Sequence, residues 1–336
     1  MLQELLAARA WLLADGATGT NLFDVGLTSG DAPELWCDEE PDKIIGLHRS
    51  FVEAGADIIL TNTFGANARR LMLHKAEDRV GELNQRAAEL ARSATEDADR
   101  PVVIAGSVGP TGDLLVPLGP LTKGDARAVF AEQIAGLKAG GADVIWIETM
   151  SSADEIAAAA EAAIAADMPY TVTASFDTAG RTMMGLPPEA FAEAMAGLEV
   201  PPVAIGANCG VGASDTLLAL QGLTAAAGDI PVISKANAGV PEIRGDSVHY
   251  SGSPELMARY AGLALDTGAT IVGGCCGTTA RHLDAMRAAL EAHERTDPPA
   301  LETITAATGP LVSPPADPAS EAHEKTRSRR RRRPSG

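Results

Sequence analysis

Ile271-Val272-Gly273-Gly274-Cys275-Cys276-Gly277-Thr278-Thr279 is the stretch that decides the fold, because it places two adjacent cysteines at the end of an apolar run. Glycines on both sides of the pair predict a tightly bent backbone. Cys209 follows another apolar run in Ile205-Gly206-Ala207-Asn208-Cys209-Gly210, whereas Cys37 lies in an acidic, proline-flanked segment. Three thiols at the ends of two strands indicate an open zinc site, in which a substrate takes the fourth tetrahedral position.

Two simpler interpretations of these cysteines compete with a metal site. Free cysteines are often buried as small hydrophobic side chains, and cysteines can also pair as disulfides. A packing cysteine does not need flanking glycines, however, and adjacent cysteines bridge poorly. Nothing in the sequence suggests export to an oxidising compartment. The glycine context therefore favours the metal site.

Apolar, β-branched runs alternate with helical stretches rich in Ala, Glu and Leu along most of the chain. Counting these runs decides the architecture, because parallel strands joined by helices form either a closed barrel or an open sheet. Eight strands, each followed by a helix, predict an α/β protein with a (β/α)8 (TIM) barrel. The predicted strands are Trp11–Ala17, Ala56–Phe64, Pro101–Gly109, Ala142–Met150, Tyr170–Asp177, Val203–Cys209, Pro231–Ala238 and Ala269–Cys275.

A doubly wound open sheet would use the same alternation, and the positions of the unusual polar residues separate the two folds. These residues all fall at the carboxyl ends of predicted strands, which converge on one mouth in a barrel. In an open sheet, the cysteines of the sixth and eighth strands could not easily meet the ends of strands one, two and four. Closure is therefore favoured. The residues concerned are Asp15, Thr63, Ser107, Glu148, Asn208, Cys209, Asn237, Cys275 and Cys276.

Composition describes a globular protein with a large core, since 46% of its 336 residues are hydrophobic and 21% are charged. No apolar run is long enough to span a membrane, and the first residues lack the basic region of a signal peptide, so we expect a cytoplasmic protein. Residues 321–336 carry a net charge of +5, which leaves −23 on the remainder. The acidic body makes nucleic acid an unexpected partner.

The helical and strand patterns stop after residue 293. Prolines among small polar residues predict that residues 294–336 form a disordered tail ending in the arginine run 329–333. A short charge block of this kind is usually a solvated end. We therefore expect one barrel domain over residues 1–293.

With these residues in view, the chain resembles the homocysteine S-methyltransferase family. That family includes betaine–homocysteine methyltransferases, S-methylmethionine-dependent enzymes and the homocysteine module of corrinoid-dependent methionine synthase. The combination of the paired cysteines with Asn208-Cys209 is highly specific, and the matching motifs occur in order over residues 10–292. They are Asp15-Gly16-Ala17-Thr18-Gly19-Thr20, Thr61-Asn62-Thr63-Phe64-Gly65-Ala66, Gly106-Ser107-Val108-Gly109-Pro110, Glu148-Thr149, Asn208-Cys209, Asn237-Ala238-Gly239 and Gly273–Thr279.

The resemblance implies a role for each of the matched polar residues. Cys209, Cys275 and Cys276 would bind one catalytic zinc ion, and the homocysteine sulfur would complete the tetrahedron. Asp15, within the Asp15-Gly16 motif, and Glu148 match acidic positions that hold the substrate ammonium. Thr63 and the adjacent backbone match the segment that receives the substrate carboxylate. The alternatives to a substrate-binding role are that Glu148 forms a salt bridge inside the mouth and that Asp15 caps a helix.

The expected activity is zinc-dependent methylation of homocysteine to methionine, with betaine as the methyl donor. Trimethylammonium groups are usually held by aromatic faces, and the animal betaine enzymes carry an aromatic residue where this chain has Gly65. Trp36 and Tyr170 are candidate substitutes. A methyl-corrinoid carrier protein and S-methylmethionine are alternative donors. A non-catalytic zinc or thiol-binding module, and a hydrolase using zinc-bound water, are the alternatives from other classes.

Overall fold

The computed structural model describes residues 1–244 and 247–315, and its centre is an eight-stranded parallel sheet. All eight predicted strands are present, each somewhat shorter than its apolar run, and the eighth and ninth strands of the chain form a separate hairpin described below. The barrel strands are β1 (Leu12–Leu13), β2 (Ile58–Leu60), β3 (Val103–Val108), β4 (Val144–Met150), β5 (Tyr170–Ala174), β6 (Ala204–Cys209), β7 (Val232–Ala236) and β10 (Ile271–Gly274).

The sheet closes on itself between its first two strands. In the sheet, β1 pairs with β10, and the order then runs through β7, β6, β5, β4 and β3 to β2. A parallel bridge joins Ala14 to Ile58, and the Asp57 amide donates to the Leu13 carbonyl at 2.7 Å. The predicted (β/α)8 barrel is therefore confirmed, and the carboxyl ends of all its strands face one mouth.

Helices surround the barrel and cover its outer face. They are α1 (Leu2–Ala8), α2 (Gly19–Asp24), α3 (Trp36–Glu39), α4 (Pro41–Glu53), α5 (Ala68–Leu71), α6 (Val80–Ser93), α7 (Lys123–Ala139), α8 (Ala153–Ala165), α9 (Pro188–Ala196), α10 (Ala213–Ala226), α11 (Pro254–Asp266), α12 (Ala280–Ala292) and α13 (Leu301–Thr308). Pro41 begins α4 at a position where its missing amide is not needed.

Successive strand residues point alternately into the barrel and out towards the helices, which produces two apolar layers. Leu12 packs inside the barrel together with Trp146 and Ile271. Leu13 belongs instead to the larger layer between the sheet and its helices. Leu2 of α1 joins the inner layer and is buried. Helix α1 thus covers the end of the barrel opposite to the mouth, which leaves the mouth as the open end.

A two-stranded antiparallel hairpin, which the sequence did not predict, follows β7. It consists of β8 (Pro241–Arg244) and β9 (Ser247–Tyr250). Its strands are too short to give a clear alternating pattern, and for this reason the sequence shows only a connection here. Tyr250 at its end packs against the cysteine loop, since a Cβ atom on Gly277 would lie 2.3 Å from the Tyr250 Cβ.

The expectation of a disordered chain from residue 294 onwards is wrong for residues 301–308, which form α13. This helix packs against α10 and α11, and Ile304 is fully buried. The segment that follows is tied down as well, because the amides of Val312 and Ser313 donate to the Asp215 carboxylate at 3.0 and 2.8 Å. Tertiary burial of one apolar face stabilises a helix that proline-rich flanks obscure in the sequence. The arginine run lies outside the described residues.

Among the described residues, no helix combines the length and the apolar character that a membrane crossing requires.

Candidate active site

A cavity of about 370 Å³ opens at the barrel mouth. Its wall combines the ends of β2, β3, β4, β6, β7 and β10 with the loop that follows β1. It contains Gly16, Thr63, Glu148, Cys209, Cys275 and Cys276, which the sequence singled out, and also Glu34 and Lys235, which it did not. Asp15 lies behind this wall.

The three cysteines come together in this cavity, and their sulfur atoms all lie within 4.8 Å of one another. The Sγ atoms of Cys209 and Cys276 are 4.0 Å apart. Cys37 is elsewhere, buried, with its thiol against the Asn62 carbonyl at 3.7 Å. The geometry therefore separates the chain's four cysteines into a cluster of three and one packing residue, as the sequence context indicated.

The backbone conformation at the strand ends places these three sulfur atoms close together. Cys209 ends β6 in the left-handed region, with φ of 62°, a conformation that is uncommon outside glycine and is typical of strained functional positions. The Cys275 amide donates to the Ala236 carbonyl at 2.7 Å, which joins the cysteine loop to β7. The Ala238 amide donates to the Cys276 carbonyl at 2.9 Å. Both sides of the pair are therefore held by the neighbouring strand.

The glycine at 274 allows the loop to turn tightly. A Cβ atom on Gly274 would lie 2.2 Å from the Thr278 side chain, a separation that no side chain could tolerate. This close approach is the physical reason for the glycine before the cysteine pair.

Hydrogen bonds among the thiols make their ionisation unequal. Cys209 and then Cys275 stabilise the Cys276 thiolate, which lowers the pKa of Cys276 to about 3. Hydrogen bonding to Cys275 and Cys276 raises the pKa of Cys209. One sulfur of the cluster is therefore anionic and is held by the other two. A cluster with this charge is a natural ligand set for a thiophilic cation.

Glu148 ends β4 beside the thiols. The Ser107 hydroxyl donates to its Oε1 at 2.5 Å, and Asn208 Nδ2 lies 3.4 Å from its Oε2. Burial raises the pKa of Glu148 to about 7. A buried carboxylate that faces a cavity is suited to pair with a cationic group of a ligand.

Asn208 organises the mouth. Its side chain accepts from the Thr149 amide and from Thr173 Oγ1, and it donates to Thr149 Oγ1 at 2.7 Å. Asn237 likewise donates to the Gly210 carbonyl at 2.7 Å, next to Cys209. Both asparagines hold the strand ends in place.

Asp15 is fully buried, and its two oxygens already have partners. Lys235 Nζ lies 2.6 Å from Oδ1, and the Leu60 amide donates to Oδ2 at 2.7 Å. The carboxylates of Asp15 and Glu148 outweigh the effect of burial on Lys235 and raise its pKa, so the ammonium is charged. In this geometry Asp15 can act on a substrate only through Lys235.

Lys235 is the charged residue that sequence reasoning missed. It is 2% exposed and lies in the cavity wall at the end of β7. The available signal was a lysine inside the apolar run Val232-Ile233-Ser234-Lys235-Ala236, since lysine is almost never fully buried without a partner.

Thr63 lines the cavity, but its hydroxyl is engaged in a closed set of hydrogen bonds between β2 and β3. Thr63 Oγ1 donates to the Ser107 carbonyl at 2.7 Å and lies 2.6 Å from Thr61 Oγ1, which accepts from the Ser107 amide. Gly16 also lines the cavity and packs closely on the cysteine loop, since a Cβ atom at this position would lie 2.5 Å from the Thr278 carbonyl oxygen.

Neither of the aromatic residues suggested for a trimethylammonium group lines this cavity. Trp36 packs under Lys43 in a cation–π contact of 4.4 Å. Tyr170 is on β5 and donates to the Val200 carbonyl. Phe23 and Phe64 are the aromatic residues in the wall instead.

Comparison with known proteins gives a consistent match over the barrel. A family model described as "Homocysteine S-methyltransferase" matches residues 12–290. Methionine synthase of Mycobacterium leprae (strain TN) is 33% identical over 306 residues, which is 86% of this chain and 25% of that protein. Methionine synthase of Mycobacterium tuberculosis is 32% identical over 305 residues, with the same shares. The chain thus spans about a quarter of the length of these curated relatives.

Two similar solved structures match this chain over almost the whole of their own length. The metallated form of the Escherichia coli homocysteine methyltransferase MmuM is 26% identical, with a TM-score of 0.72, over 85% of this chain and 99% of that one. Its oxidised form is 27% identical, with a TM-score of 0.71, over 85% and 98%.

Proposed function

The chain belongs to the homocysteine S-methyltransferase family, and we propose that it binds one zinc ion through Cys209, Cys275 and Cys276 and methylates homocysteine to methionine. The observation that carries the proposal is the convergence of three sulfur atoms within 4.8 Å in a cavity that also contains Glu148. A non-catalytic zinc module would not need buried charged groups beside its thiols, which favours the enzyme.

The sulfur positions fit a zinc ion. Tetrahedral zinc with bonds of about 2.3 Å separates its sulfur ligands by about 3.8 Å. The distance between Cys209 and Cys276 is 4.0 Å, so little movement is needed. Three protein ligands would leave one position of a tetrahedral zinc ion for a substrate atom. The homocysteine sulfur is proposed to take that position.

Glu148 is proposed to hold the ammonium group of homocysteine. Its carboxylate is buried, faces the cavity and is oriented by Ser107 and Asn208. Lys235, which is paired with Asp15, is a further buried charged side chain in the same wall. Thr63 and Gly16 define the remaining wall, where the substrate carboxylate is proposed to meet the backbone.

The chemistry needs a thiolate, because a free thiol with a pKa of about 8.5 is mostly protonated at neutral pH. Zinc held by three thiolates would keep the homocysteine sulfur ionised and nucleophilic. That sulfur attacks the methyl carbon of the donor, and the new S–C bond forms as the bond to the leaving group breaks. The leaving group takes the bonding electron pair, so no general acid is needed.

Betaine is the proposed donor, and dimethylglycine is then the second product. The motifs extend over the whole barrel and resemble those of short bacterial enzymes of the betaine-dependent type. A methyl-corrinoid carrier protein is the second candidate, supported by similarity to a quarter of the length of two methionine synthases. S-methylmethionine is a third, since the family that the chain resembles includes S-methylmethionine-dependent enzymes.

Methionine formation from homocysteine tests the proposal directly. The full chain, loaded with one equivalent of zinc, is given betaine, S-methylmethionine or methylcobalamin, before and after chelation. We expect turnover with betaine that chelation abolishes and zinc restores. Activity that survives complete zinc removal contradicts the metal assignment. Turnover with methylcobalamin and none with betaine moves the donor assignment to the corrinoid and leaves the acceptor unchanged.

A further inference from the structure

Gln133 is a fully buried polar residue behind the cavity wall that the proposed reaction does not use. It belongs to α7, in the layer of helices outside the barrel strands. Its Nε2 atom donates to the Thr63 carbonyl at 2.7 Å and to the Ser107 carbonyl at 3.3 Å. Thr63 lies in the turn after β2, and Ser107 lies near the end of β3. One side-chain amide therefore joins two neighbouring strand ends at the barrel mouth.

Close packing of α7 against β3 brings this side chain to the strand ends. A Cβ atom on Gly106 would lie 2.9 Å from Leu137 Cδ1, so the glycine at this point of β3 allows the helix to lie close to the strand. Gln133 lies one turn before Leu137, on the same face of the helix. Its amide is therefore next to the carbonyl groups at the mouth.

Neither of these carbonyls needs Gln133 for its hydrogen bonding. The Thr63 carbonyl also accepts from the Ala66 amide at 3.0 Å, and the Ser107 carbonyl accepts from Thr63 Oγ1 at 2.7 Å. The Oε1 atom of Gln133 is buried and has no hydrogen-bond partner among the described residues. An unpaired buried oxygen costs free energy. A buried polar group that is kept at such a cost indicates a functional role.

The turn after β2 is held at two points, with a free amide between them. Gln133 donates to the carbonyl of its residue 63, and the Gly65 amide donates to Glu34 Oε1 at 2.7 Å. The Phe64 amide makes no hydrogen bond within the part of the chain that the structure describes. Phe64 lines the cavity. Its amide is therefore available to the carboxylate of a ligand.

Ser107 connects Gln133 to the other charged group of the proposed acceptor site. The Ser107 carbonyl accepts from Gln133, and the Ser107 hydroxyl donates to Glu148 Oε1 at 2.5 Å. Glu148 is the carboxylate proposed to hold the substrate ammonium. Gln133 thus contacts the backbone beside both groups that would bind the amino-acid part of homocysteine.

We infer that Gln133 is a positioning residue for the acceptor, and that it sets the separation between the Phe64 amide and the Glu148 carboxylate. This inference rests on the proposed function and concerns how the site recognises an α-amino acid. The ammonium and carboxylate of an α-amino acid are attached to the same carbon atom, so their separation is fixed. A site for both groups must keep its own donor and acceptor at a matching separation, and small displacements weaken the interaction.

The position of Gln133 also predicts which step it does not affect. It contacts the ends of β2 and β3, whereas the cysteines follow β6 and β10. Loss of its amide should therefore weaken binding of the amino-acid part of homocysteine. Zinc binding and the rate of methyl transfer at saturating homocysteine should be unchanged.

Gln133→Met in the zinc-loaded full chain tests this inference, because methionine has nearly the length and volume of glutamine and lacks both the donor and the unpaired oxygen. We expect KM for homocysteine to rise by about tenfold, whereas kcat, KM for the methyl donor and zinc content should stay within about twofold. The Kd for homocysteine, measured by calorimetry without a donor, should rise by a similar factor. The urea midpoint of unfolding should be unchanged or higher.

Gln221→Met is the matched control. Gln221 on α10 also donates its side-chain amide to a backbone carbonyl, that of Pro299 at 2.7 Å. This bond joins α10 to the segment before α13 and lies outside the proposed acceptor site. The control variant should change neither the KM nor the Kd for homocysteine.

Three results with Gln133→Met would overturn the inference. The first is an unchanged KM and Kd for homocysteine. The second is a large fall in the urea midpoint, which would show that the amide is retained for stability. The third is an equal rise in the KM for homocysteine and the KM for the donor, which would show a general disturbance of the mouth.

The unsubstituted protein separates these outcomes from a failure of the proposed function. Absence of methionine with every donor in the zinc-loaded unsubstituted protein would overturn the proposed function itself. Methionine formation by the unsubstituted protein, together with an unchanged homocysteine KM in Gln133→Met, would overturn only the role of Gln133.

Discussion

Lys235 Nζ and Asp15 Oδ1 lie 2.6 Å apart with both side chains buried, and this ion pair joins the end of β7 to the end of β1 across the barrel mouth. The two strands are not neighbours in the sheet, because β10 lies between them. The cysteine loop after β10 is thus flanked by a lysine and a carboxylate that neutralise one another. Lys235 faces the cavity, and Asp15 supports it from behind.

Lys235→Met should destabilise the protein by about 3 to 5 kcal/mol, because it leaves the Asp15 carboxylate buried without its counter-ion. The double variant Asp15→Asn with Lys235→Met should recover most of this loss. Urea unfolding of the two single variants and the double variant measures the coupling. Additive losses would mean that the two charges do not depend on one another.

Glu148→Gln should raise KM for homocysteine by about 10-fold to 100-fold, since a hydrogen bond to a charged group contributes about 1.5 to 3 kcal/mol. Glutamine still accepts from Ser107, so the fold should be kept. Steady-state kinetics with homocysteine as the varied substrate provide the measurement. Glu161→Gln, which removes a carboxylate from a surface ion pair with Lys123, is the control. An unchanged KM for homocysteine would remove Glu148 from the ammonium site.

Cys275→Ala should abolish both zinc binding and turnover, because it removes one of the three proposed ligands. Metal analysis of the purified variant should find far less than one zinc per chain. Cys37→Ala is the matched control, since burial raises the pKa of that thiol to about 12 and keeps it protonated in a separate part of the core. One tightly bound zinc per chain in Cys275→Ala would disprove the ligand assignment.

His48→Leu should stabilise the protein in mild acid. His48 on α4 is fully buried, neither ring nitrogen has a hydrogen-bond partner in the described structure, and burial lowers its pKa from 6.5 to about 4. Between pH 6.5 and pH 4, the unfolded chain therefore binds a proton at His48 that the folded protein does not bind. The free energy of unfolding should fall by up to about 3 kcal/mol from pH 6.5 to pH 4, and His48 contributes no pH dependence above that window.

Urea unfolding of the unsubstituted protein and of His48→Leu at pH 7 and at pH 4.5 measures this difference. The advantage of the leucine variant should be larger at the lower pH. Parallel stability curves for the two proteins would show that folding does not lower the pKa of His48.

Removal of residues 301–336 should destabilise the barrel by about 2 to 4 kcal/mol, because Ile304 and the bonds to Asp215 are lost. Removal of residues 316–336 alone should leave the melting temperature unchanged, since it keeps Ile304 and the hydrogen bonds of Val312 and Ser313 to Asp215. Thermal unfolding of the two truncated chains distinguishes these effects. Equal melting temperatures would mean that α13 contributes nothing to stability.

Particular residues show how much of the site the sequence could predict. The cysteine cluster was predictable because continuous apolar runs locate strand ends, and the strand ends of a barrel meet. Glu34 was not predictable, because it lies in an irregular loop whose path depends on packing against Gly65. The pairing of Lys235 with Asp15 was not predictable either, because 220 residues separate them in the chain and only the fold brings them together.

The sequence by itself determined the barrel, the family and the three thiols, because these depend on local periodicity and on short motifs. Only the tertiary structure decided that Lys235 lies in the cavity wall and forms an ion pair with Asp15. It also decided that Glu34 faces the same cavity and that residues 301–308 are helical. Each of these depends on which distant groups share a desolvated space. The free energy of a buried charge is set by those neighbours, and chain order does not reveal them.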